Sequence, residues 1–324
     1  MKKLTRVQKY LNKFKNVEGK TFIVTGANSG LGYSASKHFL HLGARVIMAC
    51  RNLVKAEEAR QKLLGLYPDA EIIVLPYDQA NFESIDSFVE IIGEHYADFA
   101  GIILNAGIYH PKEGLVTTQG FPLTVGTNYI GVYYLLKKLS EAGMWQKQHE
   151  RRLVFVGSLS WYRVHIRQME TLLTTFNGSP TARYCRSKTA LGSLSYHLAQ
   201  HEEDSFFAVP PHVKILIMHP GVSSTNIVGS KSSSFPKWFT KMANNALSLF
   251  VHSPDVASLS IIKLALSAQV NENKVAVPRG LFHISGYPKL MNYPKNLQEN
   301  IQPLLAMTEE VIATAIKESK NVRS

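Results

Sequence analysis

Residues 20–32 read KTFIVTGANSGLG, and this stretch predicts the fold of the chain. Lys20 to Thr25 is a short apolar run typical of a buried strand, and a glycine-rich turn joins it to a helix expected over residues 31–42. Glycines let the backbone approach a pyrophosphate closely, and the free N–H groups of a helix N-terminus bind its charge. Strand, glycine turn and helix in this order predict a dinucleotide-binding site near the start of the chain.

The chain beyond this turn continues to alternate strands with helical segments. Further strands are expected at residues 44–49, 71–75, 101–104, 153–156 and 212–218. The alternation predicts one α/β domain, a doubly wound (Rossmann) parallel sheet of about seven strands in the order 3-2-1-4-5-6, with helices on both faces. The seventh strand is expected near Lys274–Val277 or Leu281–Ile284, and a final helix over residues 296–319.

Two segments fall outside this alternation. Residues 1–17 are basic and carry apolar side chains at helical spacing, namely Leu4, Val7, Leu11 and Phe14. They predict an amphipathic helix that packs on the body, residues 18–324, or lies on an anionic surface such as a membrane. Residues 230–252 are rich in aromatic and aliphatic side chains, and predict either core-packed helices or an apolar substrate lid, taken to span 223–252.

Composition narrows the class of protein. The 324 residues contain two cysteines, Cys50 and Cys185, which predicts neither a disulfide framework nor a metal site and fits a reducing compartment. The net charge is +12, and the first twenty residues supply half of it, with seven basic groups against Glu18. Basic and aromatic residues are not interleaved as in a nucleic-acid interface. With no apolar run of roughly 18 residues, we expect a cytoplasmic protein without an integral membrane segment.

A second motif, Tyr184-Cys-Arg-Ser-Lys188, opens an apolar helical run. Residues four apart lie on one face of a helix, so the phenol and the ammonium are expected to share the same space. A nearby cation favours the phenolate and lowers the tyrosine pKa from its ordinary value of about 10. A tyrosine tuned in this way can transfer protons at working pH.

Four motifs in order resemble the short-chain dehydrogenase/reductase family. They are the Thr25–Gly32 turn, Asn105-Ala106-Gly107, Tyr184-x-x-x-Lys188 and Pro220-Gly221. Details are similar to the retinol dehydrogenase-like branch and its WW-domain oxidoreductase relatives: Ala49-Cys50-Arg51, the phrase VGTNYIG over residues 125–131, and the wide gap between Ser158 and Tyr184. The resemblance covers roughly residues 18–290 and implies interconversion of a carbonyl and an alcohol by hydride transfer.

The resemblance also implies roles for individual residues. Ser158 would hydrogen-bond the substrate oxygen, and Tyr184 would be the catalytic acid and base. Lys188 would bind the nicotinamide ribose and lower the pKa of Tyr184. Asn128 would use its backbone to hold a water in a relay to Lys188. Ser160 is a rival to Ser158, which we prefer because a strand ends immediately before it. Besides Tyr184 and Lys188, the implied cofactor contacts are Gly26, Asn28, Ser29, Gly30, Leu31, Gly32, Arg51, Asp78, Asn105, Ala106, Gly107, Pro220, Gly221 and Thr225.

Cofactor preference and substrate are predicted from single features. The second strand ends at Cys50-Arg51-Asn52, where an NAD-binding acidic residue is missing and Arg51 can pair with a 2′-phosphate. NADP(H) is therefore preferred over NAD(H), although the basic residue common in the turn of NADP-preferring members is absent. Apolar side chains predict a pocket for a bulky lipophilic carbonyl or alcohol, with the candidates Tyr109, Trp161, Trp238 and Phe239.

Other functions and assemblies stay open at this stage. A non-catalytic NADPH sensor needs only the glycine turn, whereas this chain also carries Ser158, Tyr184 and Lys188. A nucleotide-sugar epimerase or dehydratase would use a tyrosine and a lysine too, with a differently spaced glycine turn and a larger C-terminal domain. The resemblance implies a homodimer that pairs through the helices flanking the catalytic one, while the leader and the lid are also compatible with a monomer.

Overall fold

The computed structural model describes residues 4–14, 17–109, 114–146, 149–164, 173, 178–201, 207, 209–221 and 253–321. The predicted lid, residues 223–252, lies outside the described residues, and with it Thr225, Trp238 and Phe239.

Eight strands form one sheet in the order β3-β2-β1-β4-β5-β6-β7-β8. Their bounds are β1 Thr21–Thr25, β2 Arg45–Cys50, β3 Ile72–Pro76, β4 Gly101–Leu104, β5 Arg151–Val156, β6 Val213–Met218, β7 Lys274–Pro278 and β8 Pro288–Asn292. The pairs from β3 to β7 are parallel, and β8 is antiparallel to β7. The predicted α/β fold and its strand order are confirmed.

The sequence did not predict the eighth strand. Lys274–Pro278 is the seventh strand, so the alternative at Leu281–Ile284 is wrong, since Leu281–His283 forms a short 3₁₀ helix instead. This helix lies in the connection that turns the chain back into β8, a connection that includes Gly286 at φ +109°. The hairpin places an antiparallel strand at the edge of the sheet, which a pattern of alternating strands and helices does not signal.

Helices cover both faces of the sheet. Their bounds are α1 Arg6–Leu11, α2 Gly30–His41, α3 Leu53–Leu64, α4 Phe82–His95, α5 Leu123–Val125, α6 Gly131–Glu141, α7 Pro180–Leu198, α8 Pro254–Ala257, α9 Leu259–Leu266 and α10 Gln302–Asn321. One buried apolar cluster joins α4, α6, α7 and α10 to the sheet, and a second joins α1, α2, α3 and α9 to its other face. The last helix begins six residues later than predicted, because Lys295–Leu297 forms a 3₁₀ turn first.

The described part of the leader packs on the body. Helix α1 begins with a capping box in which Thr5 and Gln8 satisfy each other's backbone N–H groups. Leu11 is buried, and the ring of Tyr10 lies 5.4 Å from that of Tyr287, which precedes β8. This helix is therefore anchored by its apolar face. The boundary between the leader and the domain stays a prediction. Among the helices of the described ranges, none is long and apolar enough to cross a bilayer.

Candidate active site

The glycine turn lies at the carboxyl end of β1, in the centre of the sheet. Gly26 and Gly30 have φ values of +66° and +55°, which favour glycine. Gly32 has no room for a side chain, since a Cβ there would lie 2.5 Å from the Gly26 oxygen and 2.6 Å from Asn105 Nδ2. Ser29 is exposed at the N-cap of α2 and makes no side-chain capping bond. The Ser29 side chain therefore leaves the first-turn N–H groups of α2 uncapped, which suits a helix N-terminus that binds an anion.

The Asn105-Ala106-Gly107 loop is tied to this turn by hydrogen bonds. Thr25 Oγ1 accepts from the backbone N–H groups of Asn105 at 3.0 Å and Ala106 at 2.9 Å. In return, Asn105 Nδ2 donates to the carbonyl oxygen of Thr25 at 2.8 Å. These bonds hold the carboxyl ends of β1 and β4 together, so the loop and the glycine turn form one rigid edge.

The neighbouring strand ends supply the groups predicted for the adenosine half. Arg51 is exposed and lies directly after β2, two residues beyond Ala49, which pairs with the last residue of β1. Asp78 lies two residues after β3, and one of its carboxylate oxygens accepts from Ala80 N at 3.0 Å. Asn52 caps α3 by accepting from Lys55 N, so its side chain is already used. The exposed helix N-terminus and the cationic Arg51 fit a phosphorylated dinucleotide chemically.

Tyr184 lies in the second turn of α7, with its hydroxyl hydrogen-bonded to Ser158. Ser158 follows β5 by two residues, and its Oγ accepts from the Ser160 hydroxyl at 3.0 Å. Burial raises the pKa of Tyr184 to about 12, and the bond to Ser158 opposes that rise only in part. The lowered pKa expected from helical spacing is therefore not found, because four-residue spacing carries no information about desolvation.

Lys188 directs its ammonium away from water and toward the sheet. Its Nζ donates to the carbonyl oxygen of Val156, the last residue of β5, at 3.0 Å. Burial lowers the pKa of Lys188 to about 8. Gly107 leaves the space beside it, since a Cβ there would lie 3.4 Å from the ammonium and 3.0 Å from Asn128 Oδ1.

Asn128 lies in a π-helical turn, Gly126–Ile130, between α5 and α6. Its side-chain oxygen accepts from Ile108 N at 2.8 Å, and its Nδ2 donates to Ile108 O at 2.9 Å and to Ser187 Oγ at 3.1 Å. The π-helical turn, the loop after β4 and helix α7 are thereby joined through one amide. The structure brings all four predicted catalytic residues to the carboxyl edge of β4 and β5.

The buried ammonium of Lys188 predicts a pH dependence of stability in the cofactor-free protein. The folded protein releases this proton near pH 8, whereas the unfolded chain keeps it to about 10.5, the ordinary pKa of lysine. The unfolded state therefore binds more protons between these values, and stability rises with pH. Relative to Lys188→Met, we expect the wild-type free energy of unfolding to rise by about 2 kcal/mol from pH 8 to 10. Urea denaturation across this range measures it, and parallel curves would contradict the shift.

The predicted pocket residues in the described ranges have different surroundings. Tyr109 packs edge-on against Tyr184 with 4.6 Å between ring centroids, so it lies beside the predicted catalytic tyrosine. Trp161 is fully buried, and its ring fills the space left by Gly157 and Gly192. It is a core residue that joins the segment after Ser158 to α7. Its side chain is therefore not exposed to a pocket, in contrast to the prediction.

The Pro220-Gly221 motif follows β6 at the same edge of the sheet. Gly221 has φ +70°, and its N–H donates to His219 Nδ1 at 3.1 Å. The buried His219 imidazole thus supports the turn that carries the motif.

Comparison with known proteins decides the family. The profile described as short chain dehydrogenase matches residues 20–234, about two thirds of the sequence. The chain belongs to the short-chain dehydrogenase/reductase family. Mouse (Mus musculus) retinol dehydrogenase 14 is 32% identical over 65% of this chain, and that match spans 63% of the mouse protein, less than two thirds of its length. Human (Homo sapiens) polyprenol dehydrogenase is 30% identical over 76% of this chain and 73% of its own.

A solved structure of an uncharacterised protein from Mycobacterium paratuberculosis shares the fold. It superposes with a TM-score of 0.68 over 93% of this chain and 96% of its own, at 22% identity. The predicted resemblance to the retinol dehydrogenase-like branch is confirmed by these matches. This short-chain dehydrogenase is an NAD(P)-dependent oxidoreductase acting on alcohol and carbonyl groups.

One residue at this site was missed by the sequence analysis. Gln79 is buried, and its Nε2 donates to Ala106 O at 3.0 Å and to Thr127 O at 2.5 Å, while its Oε1 accepts from the Tyr77 hydroxyl at 3.2 Å. In this dehydrogenase Gln79 therefore ties the connection after β3 to the Asn105-Ala106-Gly107 loop and to the π-helical turn. A glutamine inside a loop after a strand gives no sequence signal, although here it satisfies the buried carbonyl oxygen of Thr127 in the π-helical turn.

Proposed function

We propose that this short-chain dehydrogenase uses NADP(H) to interconvert a carbonyl and an alcohol on a bulky lipophilic molecule. Asn128, Ser158, Tyr184 and Lys188 carry the proton transfer. The observation that supports this most strongly is the hydrogen bond between Ser158 and Tyr184 at the carboxyl edge of the sheet, with Lys188 one helical turn further on. The bound nicotinamide supplies or accepts the hydride.

Ser158 and Tyr184 are paired hydroxyls that can both donate to a carbonyl oxygen. Negative charge develops on that oxygen as a carbonyl is reduced, and two aligned donors stabilise it. Because the pKa of Tyr184 is about 12, its phenol is protonated at neutral pH and can deliver the proton in the reduction direction.

Lys188 is suited to compensate the charge left on Tyr184. Its pKa of about 8 keeps most of the ammonium protonated at neutral pH. In a buried site, a cation one helical turn away favours the phenolate that forms after proton transfer. We therefore assign Lys188 to bind the ribose and to stabilise the phenolate.

Asn128 orients the surrounding backbone through Ile108 and Ser187.

Arg51 supports the preference for NADP(H), since its guanidinium can pair with a 2′-phosphate. We expect Arg51→Ala to weaken NADPH binding by about tenfold or more and to leave NADH binding nearly unchanged. Quenching of protein fluorescence by each nucleotide measures both affinities. Lys55→Ala, on the exposed first turn of α3, is the matched control. Equal losses for both nucleotides in Arg51→Ala would contradict the assignment.

The relatives support a lipophilic substrate. The names of the mouse and human proteins state retinol and polyprenol as their alcohols. In this chain Tyr109 presents an aromatic ring beside Tyr184. The test is NADPH oxidation against retinal, long-chain aldehydes and a steroid ketone, with a short polar aldehyde as control. Turnover of the short aldehyde alone would contradict the lipophilic substrate, and NADPH binding without any turnover would favour the sensor.

We also propose peripheral contact with a membrane and contact with a second copy of the chain. The exposed Leu4 beside Arg6 supports peripheral contact through residues 1–17 with an anionic membrane. A homodimer would have to use surfaces of α6 and α7 that residues 293–309 leave uncovered, because Tyr133 and Ser195 are already buried against Glu309 and Tyr293. The cytoplasmic location stays a prediction.

A further inference from the structure

Residues 293–309 lie beyond the region that the family profile matches, residues 20–234. They nevertheless contact each of the three elements that carry the proposed catalytic residues. These are the π-helical turn with Asn128, the segment after β5 with Ser158, and helix α7 with Tyr184 and Lys188.

Side chains of helix α10 bond to one face of the helical segment that follows Asn128. Thr308 Oγ1 donates to Leu304 O at 2.6 Å, so the Tyr129 hydroxyl, 3.1 Å away, is the donor to Thr308. One turn further on, Tyr133 donates to Glu309 at 2.7 Å, and Lys137 forms an ion pair with the same carboxylate. Tyr129 and Thr308 are fully buried, so their hydrogen bond is shielded from water.

The π-helical turn that carries Asn128 is bonded to neighbouring elements on two sides. π-Helical turns are rare and are frequently found at functional sites. Asn128 is held on one side by Ile108 and Ser187, and the adjacent Tyr129 is held on the other by Thr308. The turn is therefore bonded to the loop after β4 on one side and to α10 on the other.

The same segment holds the backbone after Ser158. Asn296 Nδ2 donates to Trp161 O at 2.6 Å and to Val164 O at 2.7 Å. Just before it, the Tyr293 hydroxyl lies 3.4 Å from Ser195 Oγ on α7. Just after it, Leu297 packs where Gly192 leaves space on the same helix.

We propose that residues 293–309 form a brace that positions the catalytic groups. Thr308 acts on Asn128 through Tyr129, and Asn296 acts on Ser158 through the backbone of residues 161–164. Both are positioning residues, and their effect on rate rests on the function proposed above. The brace itself increases local backbone order, which hydrogen exchange can measure without turnover.

The test compares Thr308→Val, which removes only the hydroxyl function, with the rescue variant Thr308→Ser. Thr314→Val is the matched control, because Thr314 is exposed on the same helix and its hydroxyl donates to Glu310 O within that helix. We expect amide hydrogen exchange over residues 126–131 to rise about fivefold in Thr308→Val. With retinal as the probe, kcat should fall about tenfold while the NADPH dissociation constant is unchanged. Thr308→Ser should restore both values, and Thr314→Val should change neither.

Asn296→Leu provides an independent arm, with Asn292→Leu, at an exposed position on β8, as its control. Exchange should rise over residues 158–164 in the first variant only. Wild-type exchange at residues 126–131 in Thr308→Val, or an equal rise throughout the sheet, would overturn the brace. If the wild-type protein turns over no carbonyl, the proposed function fails, and the exchange data still decide for or against the brace.

Discussion

Tyr184→Phe is expected to lower kcat by more than ~10²-fold, the scale of general acid catalysis. The substitution removes the hydroxyl that is hydrogen-bonded to Ser158 and leaves the aromatic ring that packs against Tyr109. Because the hydroxyl makes the proton transfer and the ring keeps the packing, NADPH affinity and thermal stability should change little. Stopped-flow measurement of NADPH oxidation with retinal, together with fluorescence titration of NADPH, separates the two effects.

The control for this variant is Tyr196→Phe. Tyr196 lies on the same helix three turns further on, where its ring packs against Tyr293. It should keep full activity. Full activity in Tyr184→Phe would show that another group delivers the proton.

Gly32→Ala is expected to weaken dinucleotide binding by about ten- to a hundredfold. An added Cβ would lie 2.5 Å from the Gly26 oxygen and 2.6 Å from Asn105 Nδ2, so the turn must open or the Asn105 bond to Thr25 must break. Overpacking of this kind costs about 1–3 kcal/mol, and each 1.4 kcal/mol is a tenfold change in affinity. Calorimetric titration of NADPH into the variant gives the dissociation constant directly.

Gly65→Ala is the matched control for the glycine turn. Gly65 ends α3 with φ −62°, and the nearest atom to an added Cβ lies at 3.5 Å, an ordinary contact. It should bind NADPH as the wild type does. Thermal melting of Gly32→Ala without nucleotide shows whether the folded state survives, and wild-type affinity in a folded Gly32→Ala would contradict the steric argument.

The central part of the fold could be predicted from local patterns alone. Each strand from β1 to β5 is a short apolar run followed by a helical segment, and parallel pairing follows from that alternation. The glycine turn is likewise local, since its positive φ values and close contacts fall on glycines that the sequence shows directly. The Tyr184–Lys188 pair follows from helical periodicity.

Features that depend on distant contacts could not be predicted in this way. Gln79 meets the π-helical turn only because the connections after β3 and β4 lie side by side. Thr308 meets Tyr129 across 179 residues of sequence. Trp161 was predicted in the pocket because it is bulky and apolar, whereas its ring fills the space beside Gly157 and Gly192 in the core. The raised pKa of Tyr184 has the same origin, since burial is a tertiary property.

We propose that this site transfers hydride between NADP(H) and a carbonyl, with Tyr184 supplying the proton. The most direct measurement uses NADPH deuterated at C4 with retinal, followed by mass spectrometry of the alcohol. We expect one deuterium on the carbinol carbon with the wild-type protein, and none above background with Tyr184→Phe. An alcohol without deuterium from either prochiral form of the labelled cofactor, or equal labelling by the wild type and Tyr184→Phe, would contradict the account.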